Sequence, residues 1–340
     1  MAAAVTLSDV AREAGVSLAT ASRAINGSAT RTVGTELRER VLAAAERLRY
    51  TPDANAQAMA RGQTTALGLV VHDIADPYFS SIAAGVAIAA EAAGLQMTLA
   101  STHHDPRREV ALIHLLKRQR VRAIVIAGGR MNDDAINDEL RLVLADYCAS
   151  GGSAALIGQP ILGVNSVVVE NARGAAELAA GLHGRGYRRF AVLGGPTAHL
   201  TAIDRREAFV GALRELGTSV ADEDVLDGAF THAGGEEAMR RLIARGPLPE
   251  VVFAVNDVMA LGALAVARDA GLRVPEDVAL AGFDDIPTLR VVVPGLTTVR
   301  VPLIELGMTA TDLALEAWSD EPRILAMATG VILRDSTPPL

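Results

Sequence analysis

A short segment near the amino terminus groups side chains that suit contacts to base-pair edges. In SLATASRAIN, residues 17–26, the start of the segment carries Leu18, Ala19, Ser22 and Arg23. Arginine can donate two hydrogen bonds to guanine, and small apolar side chains fit against the thymine methyl group. The segment therefore predicts a helix that presents base-reading side chains, with ordinary exposed surface as the alternative.

Patterns typical of catalysis or metal binding are missing from the sequence. It has no G-x-G-x-x-G turn that opens a helix after the first strand, no Walker A string and no H-E-x-x-H. His103 and His104 precede Asp105-Pro106 and could bind a metal, but a solvated strand-to-helix loop is the favoured interpretation. Cys148 lies in a helical pattern and is expected to be inert packing. We expect no enzyme activity, no metal and no cofactor.

Three short helices are predicted around the segment that could read DNA. Thr6 and Asp9 have the spacing of a capping box, and Gly15 allows a tight turn after the first helix. Ser17 can cap the second helix. A third helix, ELRERVLAAAERLRY, has apolar Val41, Leu42, Ala45 and Leu48 at helical spacing. This is a helix-turn-helix pattern, although a three-helix packing module shares it.

Charge and composition restrict the class of protein further. The net charge is −8, but residues 1–50 carry seven arginines against five carboxylates, so this end alone is basic, at +2. Such a chain can approach phosphates with one end only. The longest apolar runs are too short to span a bilayer, and the amino terminus becomes polar too early for a secretory signal. We therefore expect a cytoplasmic protein without membrane contact.

From Thr65 onwards, apolar strand patterns alternate with amphipathic helices. Runs such as ALGLVV and AIVIAGG are continuously apolar, which is typical of parallel strands covered on both faces. The cycle restarts after Asn165, so two lobes are expected, each with a doubly wound parallel sheet. Parallel sheets bind ligands at the carboxyl ends of their strands, and a cleft between two lobes is a natural small-molecule site.

From about Val5 to Pro338 the sequence resembles the lac-repressor (LacI/GalR) family of bacterial transcription regulators. The resemblance rests on TLSDVAREAGVSLATASRAIN, RERVLAAAERLRYTPDANAQAMARG, DIADPYF, GYRRFAVLGGP, AVNDVMALGAL, DVALAGFDD and PGLTTVRVP. It implies a homodimer that binds a pseudo-palindromic operator through two helix-turn-helix heads. It also implies a core of periplasmic-binding-protein type I, in which a small effector, favoured to be a sugar, changes operator affinity. A purine would also suit the aromatic pair Tyr78-Phe79.

The resemblance assigns residues to DNA contacts. Leu18, Ala19 and Arg23 correspond to base readers, whereas Thr6, Ser17, Thr20, Ser22 and Asn26 correspond to phosphate or flanking contacts. Ala56 and Met59 stand where the family packs hinge against hinge and inserts a side chain into the minor groove.

The chain also departs from the family pattern at several positions. Methionine at position 59 replaces the usual leucine, and Ala21 and Ala24 are smaller than the usual core valines. Gly34 replaces a serine cap after a longer connector, so the start of the third helix is uncertain.

By family position, the effector contacts come from both lobes. They are Tyr78, Phe79, Thr201, Arg205, Phe230, Asn256 and Asp284. Aromatic rings suit the apolar face of a sugar, and Asp, Asn and Arg suit bidentate bonds to its hydroxyls. Each side chain has an ordinary structural interpretation too, such as core packing for the phenylalanines or helix capping for Asp284. His199, near the same loop, is a weaker candidate.

The predicted organisation is a head, a hinge and a two-lobed α/β core. The ranges are 1–50 for the head, 51–63 for the hinge and 64–340 for the core, with a first lobe of about 64–163 and 295–321 and a second of about 164–294 and 322–340. The alternatives are a nucleotide-dependent enzyme, an exported solute-binding protein and an interaction module without a DNA role. An exported solute-binding protein would need an export signal and would have no use for residues 5–62.

Overall fold

A computed structural model of the chain describes residues 5–26, 33–51 and 64–340. The chain divides into two compact units between Thr64 and Thr65, one residue after the predicted end of the hinge. The described part of the smaller unit is helical, and the larger unit is α/β. Ala56 and Met59, assigned to the hinge, lie outside the described residues.

The head has three helices in its described part, α1 (Leu7–Glu13), α2 (Leu18–Asn26) and α3 (Thr35–Arg47). The capping box at α1 is confirmed, because Asp9 N donates to Thr6 Oγ1 and Thr6 N donates to the Asp9 carboxylate. Gly15 turns the chain at φ +62°, and Ser17 Oγ accepts from Thr20 N over 3.1 Å. Gly34 gives α3 no side-chain cap, yet the helix begins directly after it.

Small side chains fill the core of the head. It is built from Val10, Ala11, Ala14, Ala21, Ala24, Val41 and Ala44. Leu42 belongs to the apolar pattern of α3, but its side chain is exposed. At 3.6 residues per turn, Val41, Ala44 and Leu48 share one face, and Leu42 lies about 100° away from Val41. Arg40 Nη2 donates to Ala14 O over 2.8 Å and so joins α3 to the end of α1.

The core contains the predicted parallel sheets. The larger sheet has six strands in the order β11-β5-β4-β3-β1-β2, all parallel. Its strands are β1 (Ala66–Val71), β2 (Gln96–Ser101), β3 (Ala123–Ala127), β4 (Ser153–Ile157), β5 (Asn165–Val169) and β11 (Ile324–Met327). Around this first sheet, helices α4 (Pro77–Ala92), α5 (Pro106–Arg118), α6 (Asp134–Ala149) and α11 (Leu303–Leu315) complete the first lobe.

The second lobe is built on a four-stranded parallel sheet in the order β7-β6-β8-β9. Its strands are β6 (Phe190–Gly195), β7 (Val225–Asp227), β8 (Val251–Ala254) and β9 (Ala279–Ala281). Its helices are α7 (Asn171–Gly184), α8 (Leu200–Glu215), α9 (His232–Arg245) and α10 (Asp257–Asp269), with short 3₁₀ turns at Asp222–Asp224 and Pro287–Val291. An antiparallel pair, β10 (Thr298–Arg300) and β12 (Gly330–Ile332), adjoins β9 through isolated bridges.

The predicted lobe boundaries were wrong by about one strand. Strand β5 pairs with β4 in the first sheet, so the chain leaves the first lobe after residue 169 rather than at 164. Strand β11 pairs with β5, so residues 324–327 also belong to the first lobe. Strand β10 adjoins the second lobe, which moves the return to the first lobe beyond 300. An apolar run predicts a buried strand, but it does not say which of two sheets the strand joins.

Two minor expectations can be compared with the structure. Cys148 is buried, and burial raises the pKa of its thiol to about 11, as expected for inert packing. No helix in the described ranges is both long and apolar enough to span a bilayer.

Candidate functional site

The outer face of α2 is the candidate nucleic-acid interface. Leu18 and Ala19 are exposed, and Arg23 is half-buried, with its Nε donating to Ala19 O over 2.9 Å. Arg23 forms no ion pair with a carboxylate among residues 5–26, 33–51 and 64–340, so its charge is not neutralised within that part of the chain. The first turn of α2 has no acidic residue. This end of the helix therefore keeps the partial positive charge that favours a phosphate.

The predicted flanking contacts lie on or near the same helix. Ser17 Oγ and Thr20 Oγ1 are 2.8 Å apart, and Asn26 Nδ2 donates to Ser22 Oγ over 3.3 Å. Thr6 lies elsewhere, at the start of α1, where its hydroxyl is part of the capping box. The structure thus groups the α2 residues on one helix and gives Thr6 a structural role of its own.

The seven residues predicted for the effector all line one cavity between the lobes. The cavity offers about 30 Å³ of space to a water-sized molecule, and its walls come from loops and first helical turns after strands of both sheets. Tyr78 and Phe79 follow β1, and the other five follow β6, β7, β8 and β9. Five further residues line it: His72, Asp76, His104, Gly129 and His199.

Sequence reasoning missed or underrated those five residues. His104 was placed on solvated surface, and it is indeed exposed, but its side chain also borders the cavity. No cluster of metal-ligating side chains occurs in the described part of the chain. His72, directly after β1, was detectable because residues at the carboxyl ends of parallel strands converge. Asp76 was also detectable, because it directly precedes Pro77, the first residue of α4, and so stands at the N-cap of that helix.

Arg205 is held by contacts on every side of its guanidinium. Nε donates to Asn171 Oδ1 and Nη1 donates to Val255 O, both over 2.8 Å. The guanidinium carbon lies 3.9 Å from the ring centre of Phe283. Nη2 is 2.9 Å from Asp284 Oδ1 in an ion pair, but at an angle that does not make a hydrogen bond. These contacts therefore fix the orientation of the guanidinium.

Asp284 contributes a buried carboxylate to the cavity wall. It is 4% exposed, and its backbone adopts φ +123°, a strained value for a residue with a side chain. Oδ1 accepts no hydrogen bond from the described residues. Burial raises the pKa of this carboxyl group, and the nearby Arg205 opposes that rise. A ligand hydroxyl placed here would donate a hydrogen bond to this buried oxygen, in addition to the ion pair with Arg205.

Asp257 forms hydrogen bonds to the strained loop after β9 and to strand β10. Its two carboxylate oxygens accept from Thr298 Oγ1 over 2.7 Å and from Ile286 N over 3.0 Å. Burial raises the pKa of Asp257 to about 6. Next to it, Asn256 caps α10 by accepting from Met259 N over 2.9 Å. Asn256 therefore has a structural role in addition to its place on the cavity wall.

Imidazole rings form one side of the cavity. His199 stacks on Phe230 with ring centres 4.9 Å apart, and His72 lies 5.4 Å from both Phe79 and His104. Burial, with Arg205 and Arg130 adding to it, lowers the pKa of His199 to about 4. The pKa of His72 is lowered well below its usual 6.5, again mainly by burial. Both rings are consequently neutral at pH 7.

The two lobes touch directly beside the cavity. Asn132 N donates to Ala198 O over 2.7 Å, and Leu200 N donates to Arg130 O over 2.9 Å. Gln159 Oε1 accepts from Arg130 N, while its Nε2 donates to Asp204 Oδ2 in the second lobe over 3.2 Å. We call the four hydrogen bonds that cross between the lobes the interlobe clasp: Asn132–Ala198, Leu200–Arg130, Gln159–Asp204 and Gln159–Thr201.

Comparison with known proteins places this architecture among regulators. Residues 6–53 match the family described as bacterial regulatory proteins, lacI family, and residues 179–337 match a periplasmic binding protein-like domain. The chain is 35% identical over 319 residues to the HTH-type transcriptional regulator GalR of Escherichia coli K12, which covers 93% of this chain and 90% of GalR.

Solved structures of similar proteins extend over the whole chain. The lac repressor dimer bound to operator and the anti-inducer ONPF superposes with a TM-score of 0.84 at 25% identity, covering 99% of this chain and 100% of that one. The transcriptional regulator CelR in complex with cellobiose gives a TM-score of 0.70 at 31% identity, covering 98% of this chain and 99% of CelR.

Proposed function

This chain belongs to the LacI family of bacterial regulatory proteins, and from that membership we propose that it is a sequence-specific transcriptional repressor. In this proposal the head binds operator DNA, and a small molecule in the interlobe cavity sets how tightly it binds. The protein acts as a homodimer on a pseudo-palindromic operator, and the similar lac repressor is a dimer bound to operator in its solved structure. It works in the cytoplasm by binding alone, without catalysis.

The observation that carries the proposal is that side chains from both lobes line one cavity. Loops and first helical turns after β1, β2 and β3 in the first lobe and after β6, β7, β8 and β9 in the second supply its walls. A ligand that touches both lobes binds one relative arrangement of them more tightly than another, and so shifts the population of that arrangement. An effector of this kind can control a DNA-binding head because the two binding events are thermodynamically linked.

A sugar is the effector that the cavity chemistry favours. Phe79 and Phe230 offer aromatic surface, while Asp284, Arg205 and Asn256 offer fixed hydrogen-bonding groups. A purine or nucleoside is the second candidate, because Tyr78 packs edge-on against Phe79 at 5.0 Å and forms part of an aromatic wall. Flat bases stack on such walls as readily as sugar rings do.

Two measurements on the full-length protein test the proposal. In the first, a random duplex library is selected for binding, and the retained sequences should contain an inverted repeat. In the second, sugars and nucleosides are screened by thermal shift, since a ligand at 100 times its Kd adds about 2.7 kcal/mol of stability. A hit should also change affinity for the selected duplex. Failure to enrich any duplex sequence would contradict the DNA-binding role.

A further inference from the structure

Three arginines lie at one edge of the first sheet, in the last turn of α5 and in the loop that precedes β3. They are Arg118, Arg120 and Arg122, and all three side chains are exposed. We call them the edge cluster. Arg118 and Arg122 form no ion pair with a carboxylate in the described ranges 5–26, 33–51 and 64–340. The edge cluster therefore presents uncompensated positive charge to solvent.

The carboxylates around the edge cluster do not neutralise it. In the last helical turns and the loops that precede β2, β3 and β4, all of them described, the acidic residues are Glu91 and Asp146. Asp146 is paired with Lys117 in an ion pair. Glu91 is then set against the three arginines of the edge cluster, which leaves these segments with a net charge of +2.

The end of a helix explains only part of this positive charge. Carbonyl groups at the carboxyl end of α5 carry partial negative charge, which favours cations such as Lys117 and Arg118 in the last turn. The effect fades within that turn. Arg122 lies four residues beyond Arg118, after the end of α5, so the helix dipole does not account for it.

The edge cluster lies beside the point where the chain enters the core. The core unit begins at Thr65, and Arg122 N donates to Ala66 O over 2.8 Å, at the first residue of β1. On the other side of β1, Gln96 N donates to Thr65 O over 2.8 Å. The head is joined to the core through this end of β1, so DNA bound by the head is tethered to the same edge of the sheet.

The rest of the core has the wrong charge for an approach to DNA. The net charge of the chain is −8 and residues 1–50 carry +2, so residues 51–340 carry −10. A duplex carries one negative charge per about 1.7 Å of its axis. An acidic core approaches such a polyanion favourably through a positive surface, and the edge cluster provides one next to the tether.

We propose that the edge cluster binds phosphate groups of the duplex that the head holds. Arginine suits this contact because its planar group of donors matches phosphate oxygens. Contacts of this kind add affinity and fix the position of a protein on the duplex, but they do not read its bases. The inference rests on the proposed function and deepens it by adding a sequence-independent DNA contact made by the core.

The salt dependence of DNA binding by the full-length protein tests the contact. The edge variant, Arg118→Gln/Arg122→Gln, is compared with Arg107→Gln/Arg108→Gln, which removes two exposed arginines from the other end of α5. The two variants lose the same charge, at sites about 15 Å apart along the helix. The Kd for the selected duplex and for a shuffled duplex is measured at a series of salt concentrations.

The edge variant should lose two phosphate contacts. We expect the slope of log Kd against log salt concentration to become flatter by about 1.8, because each contact contributes about 0.9. At 0.1 M salt the Kd should rise about 5- to 50-fold, equally for the selected and the shuffled duplex. The control variant should keep the wild-type slope. Equal slopes in all three proteins, or equal losses in the two variants, overturn the inference.

The same titrations report separately on the proposed function. That function survives an unchanged slope in the edge variant if the wild-type protein still prefers the selected duplex to the shuffled one. Loss of that preference in the wild-type protein would instead contradict sequence-specific binding by the head.

A tethered cleavage reagent tests the distance to DNA independently. Cys148 is buried, so Gln119→Cys, at an exposed position inside the edge cluster, gives one accessible thiol for an iron chelate. The chelate should cut the backbone of the selected duplex at a defined position in each half-site. Arg108→Cys with the same chelate is the control and should cut no position above background. Absence of localised cutting from Gln119→Cys overturns the inference.

An anionic membrane is another partner that three arginines fit. The wild-type protein and the edge variant are therefore also mixed with phosphatidylserine vesicles. We expect both proteins to stay unbound at 0.15 M salt. Vesicle binding that is lost in the edge variant, together with an unchanged slope on DNA, would assign the edge cluster to a membrane surface and overturn the inference.

Discussion

The side-chain amide of Gln159, which follows β4 in the first lobe, donates to the hydroxyl of Thr201 in the second lobe over 3.2 Å. The same nitrogen lies 3.2 Å from Asp204 Oδ2, so one side chain joins the lobes twice beside the cavity. Both hydrogen bonds join protein groups of the two lobes, so they help to hold the lobes in this arrangement.

The first prediction concerns this clasp. Gln159→Ala removes two interlobe hydrogen bonds, each worth about 0.5–1.5 kcal/mol net. Closure then costs about 1–3 kcal/mol more, and we expect the Kd of the effector to rise about 5- to 150-fold. Calorimetry measures the change. Gln119→Ala, at an exposed position after α5, is the matched control and should leave the Kd unchanged. Equal affinity in both variants would show that the clasp does not bias closure.

The second prediction uses the tight approach at Gly129. A Cβ at this position would lie 2.2 Å from Thr201 Oγ1 and 2.6 Å from His199 Cε1. Gly129→Ala should therefore hold the lobes apart, abolish the response of duplex binding to the effector and increase the radius of gyration in solution scattering. Gly184→Ala, where a Cβ meets no atom within 4 Å, is the control. A normal effector response in Gly129→Ala would contradict the assignment of this contact to closure.

Much of the fold was predictable because it follows from local patterns. The capping box at Thr6 and Asp9, the turn at Gly15 and the continuous apolar strands are local signals, and the structure confirms them. Assignment of β5 and β11 to a sheet was not predictable in this way. Both strands lie where the chain passes between lobes, and they pair with each other although Ser166 and Ile324 are far apart in sequence.

The cleft was predictable only in part. The seven residues that the family resemblance assigned to the effector do share one cavity, although their role as ligand contacts stays a prediction. Glu109 and Arg130 gave no sequence signal, because a Glu on an amphipathic helix and an Arg after a strand are ordinary surface residues. They meet through tertiary packing of α5 against the loop after β3. Sequence periodicity does not contain that information.

The third prediction tests the fixed cation of the first cavity. Arg205→Ala removes the guanidinium from the cavity wall, with its buried hydrogen bonds to Asn171 and Val255. We expect loss of the effector response, near-normal duplex affinity and a stability loss of about 3–6 kcal/mol, because each of the two hydrogen bonds contributes about 1.5–3 kcal/mol. Arg206→Ala, at the next residue, is the control, since the only hydrogen bond of Arg206 in the described chain is a long one of 3.5 Å to Gly194 O. An effector response retained in Arg205→Ala would place the site elsewhere.

The fourth prediction concerns base reading by α2. Arg23→Ala should cost about 1–3 kcal/mol in binding to the selected duplex and should relax the preference at one base position in each half-site. Gel-shift titrations against duplexes changed at single positions measure this. Arg12→Ala, an exposed arginine on α1 that pairs with Asp9, removes the same charge from the same unit. Any loss of affinity in Arg12→Ala should be the same for every duplex, so the base preference should not change. Identical base preference in wild type and Arg23→Ala would refute the assignment.

The fifth prediction is a pH dependence that arises from His199. Its pKa is lowered from 6.5 to about 4 in the folded protein, so the unfolded chain binds more protons between these values. The contribution of His199 to the free energy of unfolding is therefore fully present above pH 6.5. It falls as the pH drops towards 4, by about 1.4 kcal/mol per pH unit.

His199→Gln, which stays neutral, should remove about 2–3 kcal/mol of the loss between pH 7 and 4.5. Urea unfolding at a series of pH values measures the free energy of unfolding for both proteins. The buried His72 acts in the same direction in both, so only the difference between the two curves reports on His199. Parallel curves would mean that His199 is protonated as easily in the folded protein as in the unfolded chain.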